Sequence, residues 1–145
     1  WLLRTNPKET EERVFQLLAL GQLGASEKAA EAAGDLLQLQ QTDGGGAQLP
    51  GKGQQSDPYA TGSALFALRR EGFLSAKDKG YWRGLRFLLD TQYDDGSWQV
   101  KSRSKPFQKY YESGYPHGKD QFISMAAGSW ATLALLHAVG EEKTP

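Results

Sequence analysis

The stretch RGLRFLLDTQYDDGSW, from Arg83 to Trp98, runs a helical pattern into a turn and sets the scale of the fold. Tyr81, Leu85, Leu88, Leu89 and Gln92 recur at the three-to-four spacing of one helix face, while Arg83, Arg86 and Asp90 fall on the opposite side. DDGSW then breaks the pattern with turn-forming residues. The segment reads as a surface helix with one face for a core and one for water.

Working outward, the same pattern stands 52 positions earlier. Ala29, Ala33, Leu36, Leu37, Gln40, Asp43 and Gly44 precede Tyr81, Leu85, Leu88, Leu89, Gln92, Asp95 and Gly96 by that interval. The helix between them, YATGSALFALRR, maps back by 48 positions onto the first helix, matching Leu65, Phe66, Ala67 and Leu68 to Leu17, Leu18, Ala19 and Leu20. It maps forward by 66 onto the last, placing Gly62 and Ser63 on Gly128 and Ser129. Self-similarity at tens of residues is the mark of a repeat architecture, and the unit is a helix pair.

Five helices are predicted, over residues 7–21, 27–41, 58–71, 76–92 and 120–139, with a long loop at 93–119. Asn6, Ser26, Asp57, Ser75 and Asp120 serve as expected caps, and Pro7 and Pro58 stand at first helical positions. The first, third and fifth helices are apolar nearly all round or rich in Gly, Ala and Ser, which suits an inner layer crowded on several sides. The second and fourth carry charged stripes and suit an outer layer. The small faces Thr61, Gly62, Ser63 and Ala126, Ala127, Gly128 let backbones approach closely. The fold class is therefore all-α, read as one partial domain over residues 1–145.

The Arg83–Trp98 segment resembles the QW motif of squalene-hopene and oxidosqualene cyclases, whose repeat is shared in form with protein prenyltransferases. The matching residues are Arg83, Gly84, Phe87, Gln92, Gly96 and Trp98. The resemblance implies a fragment of an α/α toroid, in which the Gln ties an outer helix to the turn that follows and the Trp stacks over it. It implies a structural role for these six residues. The earlier copy has Gly46 where Trp98 falls, so Gly46→Trp is expected to be tolerated or stabilising. Five helices do not close such a ring, and the chain, beginning at Trp1, reads as part of something longer.

The resemblance does not carry an activity over. The acid motif of squalene-hopene cyclases, Asp-X-Asp-Asp, has as its nearest run here Gln92, Tyr93, Asp94 and Asp95, with Gln in the leading position. The zinc set of prenyltransferases needs a Cys, and the chain has none. The two His are 20 positions apart without ligand spacing, and GGG at 44–46 follows a helix rather than a strand. No metal and no cofactor are expected.

Chemistry, if present, is expected in the long loop, because long ordered loops are more often working parts than spacers. It combines Phe107, Tyr110, Tyr111 and Tyr115, and Phe122 beyond it, with Glu112, His117, Lys119 and Asp120. Three readings are open. In the first, aromatic faces steady a carbocation, Asp120 or Glu112 donates the proton, and His117 is the base or its orienting partner. In the second, Lys101, Arg103, Lys105, Lys109 and Lys119 meet an anion near the start of the last helix. In the third, Asp120 caps that helix, the aromatics pack the loop, and the cations are solvated. His137, among Leu135, Leu136 and Val139, reads as a packing residue.

Composition narrows the partners. Lys plus Arg and Asp plus Glu each number 17, so no net field draws the chain to nucleic acid or an anionic membrane. Ile123 to Val139 reads as a buried helix and not as one of the roughly 18 unbroken apolar residues of a transmembrane segment. Two functions follow: a noncatalytic toroid module with binding or structural roles in a larger protein or assembly, or a terpenoid cyclase-type enzyme acting on a polyisoprenoid. The partners are accordingly a polyisoprenoid or other apolar ligand, the rest of the toroid, or other domains or subunits. Compartment is open, since the absence of Cys does not choose one.

Overall fold

In the computed structural model, residues 2, 4–51, 53–105 and 109–139 are described, and among them the chain is all-helical. The helices are α1 (Thr10–Gln22), α2 (Ser26–Leu37), α3 (Pro58–Arg70), α4 (Lys79–Asp90) and α5 (Gln121–Val139), the last preceded by a 3-10 turn at Gly118–Asp120. The described residues hold no strand, only one isolated antiparallel bridge between Gly46 and Asp57.

α3 is the centre of the packing. It touches α1, α4 and α5, α2 lies on α1, and α4 reaches α5 as well. Every α3 residue from Pro58 to Leu68 except the half-buried Ala64 is buried. Its closest neighbour is α5: a Cβ placed on Gly62 would stand 2.8 Å from the Ala131 amide nitrogen and 2.9 Å from the Trp130 carbonyl carbon. Only hydrogen fits between these backbones. Gly84 plays a milder version on α4, where an added Cβ would meet the Leu65 side chain at 2.8 Å. Tyr81, fully buried, crosses from α4 and donates its hydroxyl to the Ala134 carbonyl at 2.9 Å.

The expected caps hold at α3 and shift elsewhere. Asp57 accepts from the Ala60 amide at 2.9 Å, with Pro58 at the first turn. α1 begins three residues later than residue 7, because Glu9 and Glu12 form a reciprocal capping box there and displace Asn6. α2 starts at Ser26 itself, with Ala25 in the capping position. α4 starts at Lys79, since the Asp78 carboxylate accepts from both the Ser75 amide (2.6 Å) and its hydroxyl (2.8 Å), closing a turn that Ser75 only opens.

The two turns 52 positions apart share one hydrogen-bond set. Gln40 donates its amide to the Gly44 carbonyl at 2.9 Å, and Gln92 to that of Gly96 at 3.0 Å. The Gln41 amide bonds the Gly45 carbonyl at 2.8 Å as Tyr93 does that of Ser97 at 2.9 Å, and Asp43 and Asp95 each accept from the amide two residues on. Gly44 and Gly96 sit at φ +90° and +82°. Even the hydroxyl on the aspartate recurs: Ser97 supplies it in the second turn, and Ser56, from the next loop, in the first, where Gly45 has none to give.

The turns differ in what lies outside them. Gln40 also donates to the Gly80 carbonyl (2.7 Å) and accepts from Arg83 (2.6 Å), tying the end of α2 to the start of α4. The Gln92 side chain is exposed and, among the described residues, bonds only the Gly96 carbonyl. Gln40→Ala should therefore cost about 1–3 kcal/mol, because it strands a half-buried junction, whereas Gln92→Ala should stay within about 0.5 kcal/mol. Urea denaturation of the two variants measures the contrast.

Trp98 and Gly46 also part ways. The buried Trp98 indole donates to the Leu88 carbonyl at 2.7 Å, but the matching Leu36 carbonyl is taken by the Leu39 amide at 3.1 Å. An indole in the first copy would have to share the Leu36 carbonyl with that amide, as Trp98 shares the Leu88 carbonyl with the Thr91 hydroxyl at 3.3 Å. It has an apolar gap of about 40 Å³ lined by Leu36, Leu39, Leu65 and Leu74. A Cβ on Gly46 would find its nearest neighbour at 4.0 Å, and its φ is not in the left-handed region. Gly46→Ala should gain about 0.4–1 kcal/mol, seen as a raised thermal midpoint. A Trp there would require the lining leucines to move.

The sequence-based expectation for the last helix needs correcting. α5 is not buried all round: Ser124, Ala127, Ala131 and Ala134 face the core, while Phe122, Met125, Leu133, Leu136 and Val139 are exposed. Gly118–Val139 is also long and apolar enough to cross a membrane by length and composition, with a mean hydropathy of 1.5. The Ser, Gly, Thr and His within it do not bring it below that mark.

Candidate functional site

The long loop is held on α5 by Gln121, a fully buried residue at the helix start. Its side-chain carbonyl accepts from the Ser113 amide (2.7 Å) and hydroxyl, and its amide donates to the Tyr111 carbonyl at 2.8 Å. An amide can satisfy both strands of such a staple because it carries a donor and an acceptor at one end. Tyr110 donates to the Glu112 carboxylate, which also accepts from the Gly114 amide at 3.0 Å. The Tyr110 bond, then the Gly114 bond, hold the Glu112 carboxyl below the usual carboxylate range, the direction opposite to that of a proton-donating acid. Tyr110, Tyr111 and Phe122 are exposed, Lys119 is exposed, and Phe107 lies outside the described residues.

His117 bends the chain into α5 at φ +81°, a left-handed conformation rare for a residue with a side chain. Its Nε2 lies 2.8 Å from the Ser97 hydroxyl, and its ring sits between Tyr93 (centroids 5.1 Å apart) and Tyr115 (6.4 Å). This joins the loop to the second turn. The Tyr115 hydroxyl rests against Gly128, 3.1 Å from where a Cβ would be. Asp120 does not cap α5 as its place in the sequence suggests. Instead it ends the 3-10 turn, and its carboxylate accepts from the Ser102 amide at 2.8 Å.

Asp120 thereby pairs with Asp57 in function. Asp57, besides capping α3, accepts from the Gln48 side chain at 3.1 Å, so the two aspartates stand just before α3 and α5 and each holds the segment that passes it. One turn further in, the Thr61 hydroxyl accepts from the Gly46 amide (2.9 Å) while donating to the Asp57 carbonyl (2.8 Å), and the Ser124 hydroxyl accepts from the Val100 amide (3.0 Å) and faces its carbonyl (3.4 Å). These pairs are 63 positions apart, which corrects the expected interval of 66. The N-terminal ends of α1, α3 and α5 meet in this region, with Thr10 bonded to Gln48 and Ala47, and Arg103 to Glu9 at 3.1 Å.

An open cleft of about 950 Å³ lies here between the 48–58 and 90–103 segments. Its walls are mostly polar: Gln48, Gln55, Asp57, Asp90, Gln92, Asp94, Gln99, Lys101 and Arg103, with Phe87 and Tyr93 as its aromatic members. Tyr110, Tyr111, Tyr115, Lys119 and Phe122 do not line it. Burial raises the Asp57 carboxyl above the usual carboxylate range against the opposing pull of its hydrogen bonds. A carboxyl raised in the folded state binds its proton more tightly there than in the unfolded chain. Its charged form thus lowers stability as pH rises from its ordinary value through the folded one. Asp57→Asn, which retains a capping oxygen, should flatten that acid-side slope and leave helicity unchanged. Thermal melts from pH 3 to 7 read this directly.

A second surface was not legible in the sequence. Phe15, Phe66, Trp130 and His137 come from α1, α3 and α5 and form one aromatic row, with Phe66 and Trp130 centroids 5.4 Å apart, Phe66 and His137 5.5 Å, and Phe15 and Trp130 6.4 Å. The Tyr59 hydroxyl donates to Glu11 at 2.5 Å, and burial followed by that carboxylate pushes it up to about 12. The Arg70 guanidinium stands 5.9 Å from the Phe66 ring centre. Each residue could be named from its helix, but only the packing of three helices assembles the row.

No family model matches the chain. The geometry of these surfaces is accordingly the basis for a functional reading.

Proposed function

We propose that this chain is a noncatalytic helical-repeat module of the α/α toroid type, with binding or structural roles in a larger protein or assembly. The observation that carries it is how the long loop is spent. Glu112, His117 and Asp120, its candidate catalytic groups, hold Tyr110, Gly114, Ser97 and Ser102 in place. The repeated Gln turn is the support for reading the helix pairs as toroid units of the squalene-cyclase and prenyltransferase kind, with Arg83, Gly84, Phe87, Gln92, Gly96 and Trp98 as framework. An apolar ligand or a neighbouring domain or subunit is the partner class this reading implies.

The aromatic row of Phe15, Phe66 and Trp130 favours one second reading, a terpenoid cyclase-type wall for a polyisoprenoid cation. Incubation with squalene and shorter polyenes, followed by gas chromatography, separates the two. The module reading expects no cyclised product. Product that is lost in Glu112→Gln or Asp120→Asn would replace it with the cyclase reading.

A further inference from the structure

The exposed face of α5 has a pattern of its own. Phe122, Met125, Ser129, Thr132, Leu136 and Val139 are all exposed and follow one another at alternating spacings of three and four, the seam of a coiled coil. No charge interrupts it, and Leu133 widens it along one side. α4 also exposes Trp82 and Leu89, but it breaks its outer face with Arg83, Arg86 and Asp90. An uncharged stripe along a helix of 19 residues, about 28 Å, with large apolar side chains at both ends, is not the solvated surface of a monomer.

The seam is also its own complement. Laid antiparallel on a second α5 about a twofold axis between Trp130 and Ala131, Phe122 meets Val139, Met125 meets Leu136, and Ser129 meets Thr132. The large apolar side chains fall at the two ends and the smaller, hydroxyl-bearing ones at the crossing point, where helix axes must come closest. A twofold interface needs such self-complementarity. A bilayer is a poorer occupant. Gly62 against Ala131, and the Tyr81 hydroxyl on the Ala134 carbonyl, hold the opposite face of α5 in the protein core. The helix also lacks the Lys and Arg rim of an interfacial helix.

We propose that two copies of this chain pair through α5, antiparallel, with Ser129 and Thr132 at the twofold axis. The pairing deepens the module reading by naming the partner as a second copy. Because the chain has no cysteine, introduced thiols report the geometry without background. Met125→Cys and Leu136→Cys, mixed and mildly oxidised, should form a cross-linked dimer. Each alone should not, since its own copies lie about 16 Å apart along the axis. Sedimentation velocity should show a concentration-dependent dimer, weakened by about 100-fold or more in Leu136→Glu, where a charge enters the seam. Leu136 is 60% exposed in the single chain, so this variant should keep the wild-type circular dichroism spectrum. A wild-type monomer at every concentration overturns the pairing, as does self-cross-linking of either single variant. Flotation of a monomer with phosphatidylcholine and phosphatidylglycerol vesicles would also overturn it. Cyclised product from squalene would instead defeat the module reading and leave the pairing standing.

Discussion

Gly62→Val should lower the thermal midpoint by about 10 °C, and the stability by about 3 kcal/mol or more. The valine Cβ alone would enter the 2.8 Å gap to the Ala131 nitrogen, and backbone on the far side has no rotamer with which to yield. α3 and α5 must then separate along their length, which loosens Ala127, Ala131 and Ala134 together. Gly62→Ala offers a graded control. Its clash is the same at Cβ but is offset by about 1 kcal/mol of helix propensity, so its loss should be smaller. Urea titration followed at 222 nm measures both. A valine variant with an unchanged midpoint would mean that the two backbones are not in contact.

Trp98→Ala should be comparably damaging, with an expected cost of about 3–5 kcal/mol. The indole is 3% exposed and sits over the end of α4, so its removal leaves a cavity and leaves the Leu88 carbonyl with only the longer bond from the Thr91 hydroxyl at 3.3 Å. Trp98→Phe separates the two contributions. It keeps much of the volume and loses the hydrogen bond, and should cost about 1 kcal/mol beyond the volume change. Equal losses in both variants would assign the whole effect to the hydrogen bond and none to packing.

Helix existence was legible from periodicity because each helix places an apolar stripe against a neighbour, as Tyr81, Leu85 and Leu88 do. Boundaries were less so. Asn6 and Pro7 form a credible start, but Glu9 and Glu12 three positions apart form a reciprocal one, and reciprocal bonding wins. The α3 to α5 register lies about one helical turn from the one that the matched glycines suggest. Small residues recur with the helix period, so Gly62 matched to Gly128 at 66 looks as good as Thr61 matched to Ser124 at 63. The hydroxyl bonds to Gly46 and Val100 decide for the latter. Spacing within one helix cannot distinguish such slips.

The exposed face of α5 was hidden for a related reason. In a helix without charge on any side, nothing in the residues tells which side a neighbour covers. The candidate surfaces were illegible because they are tertiary. Asp57 could be read as a cap from Asp-Pro, yet its place in a cleft depends on the 90–103 segment. The aromatic row draws single residues from helices separated by dozens of positions. Gln121 could have been suspected, as a polar residue on the stripe occupied by Ser124 and Ala131, a position that demands a partner for each end of its amide.

The paired glutamines give the chain a direction. Gln40 is a coupling with both halves engaged, gripping the backbone of the unit that follows through Gly80 and its side chain through Arg83. Gln92 is the same coupling with one half engaged. A glutamine of this kind works like a hook rather than a clasp. It reaches forward from the end of α2 and asks of α4 only a bare carbonyl and a guanidinium, so that two groups at the start of one helix hold the end of another.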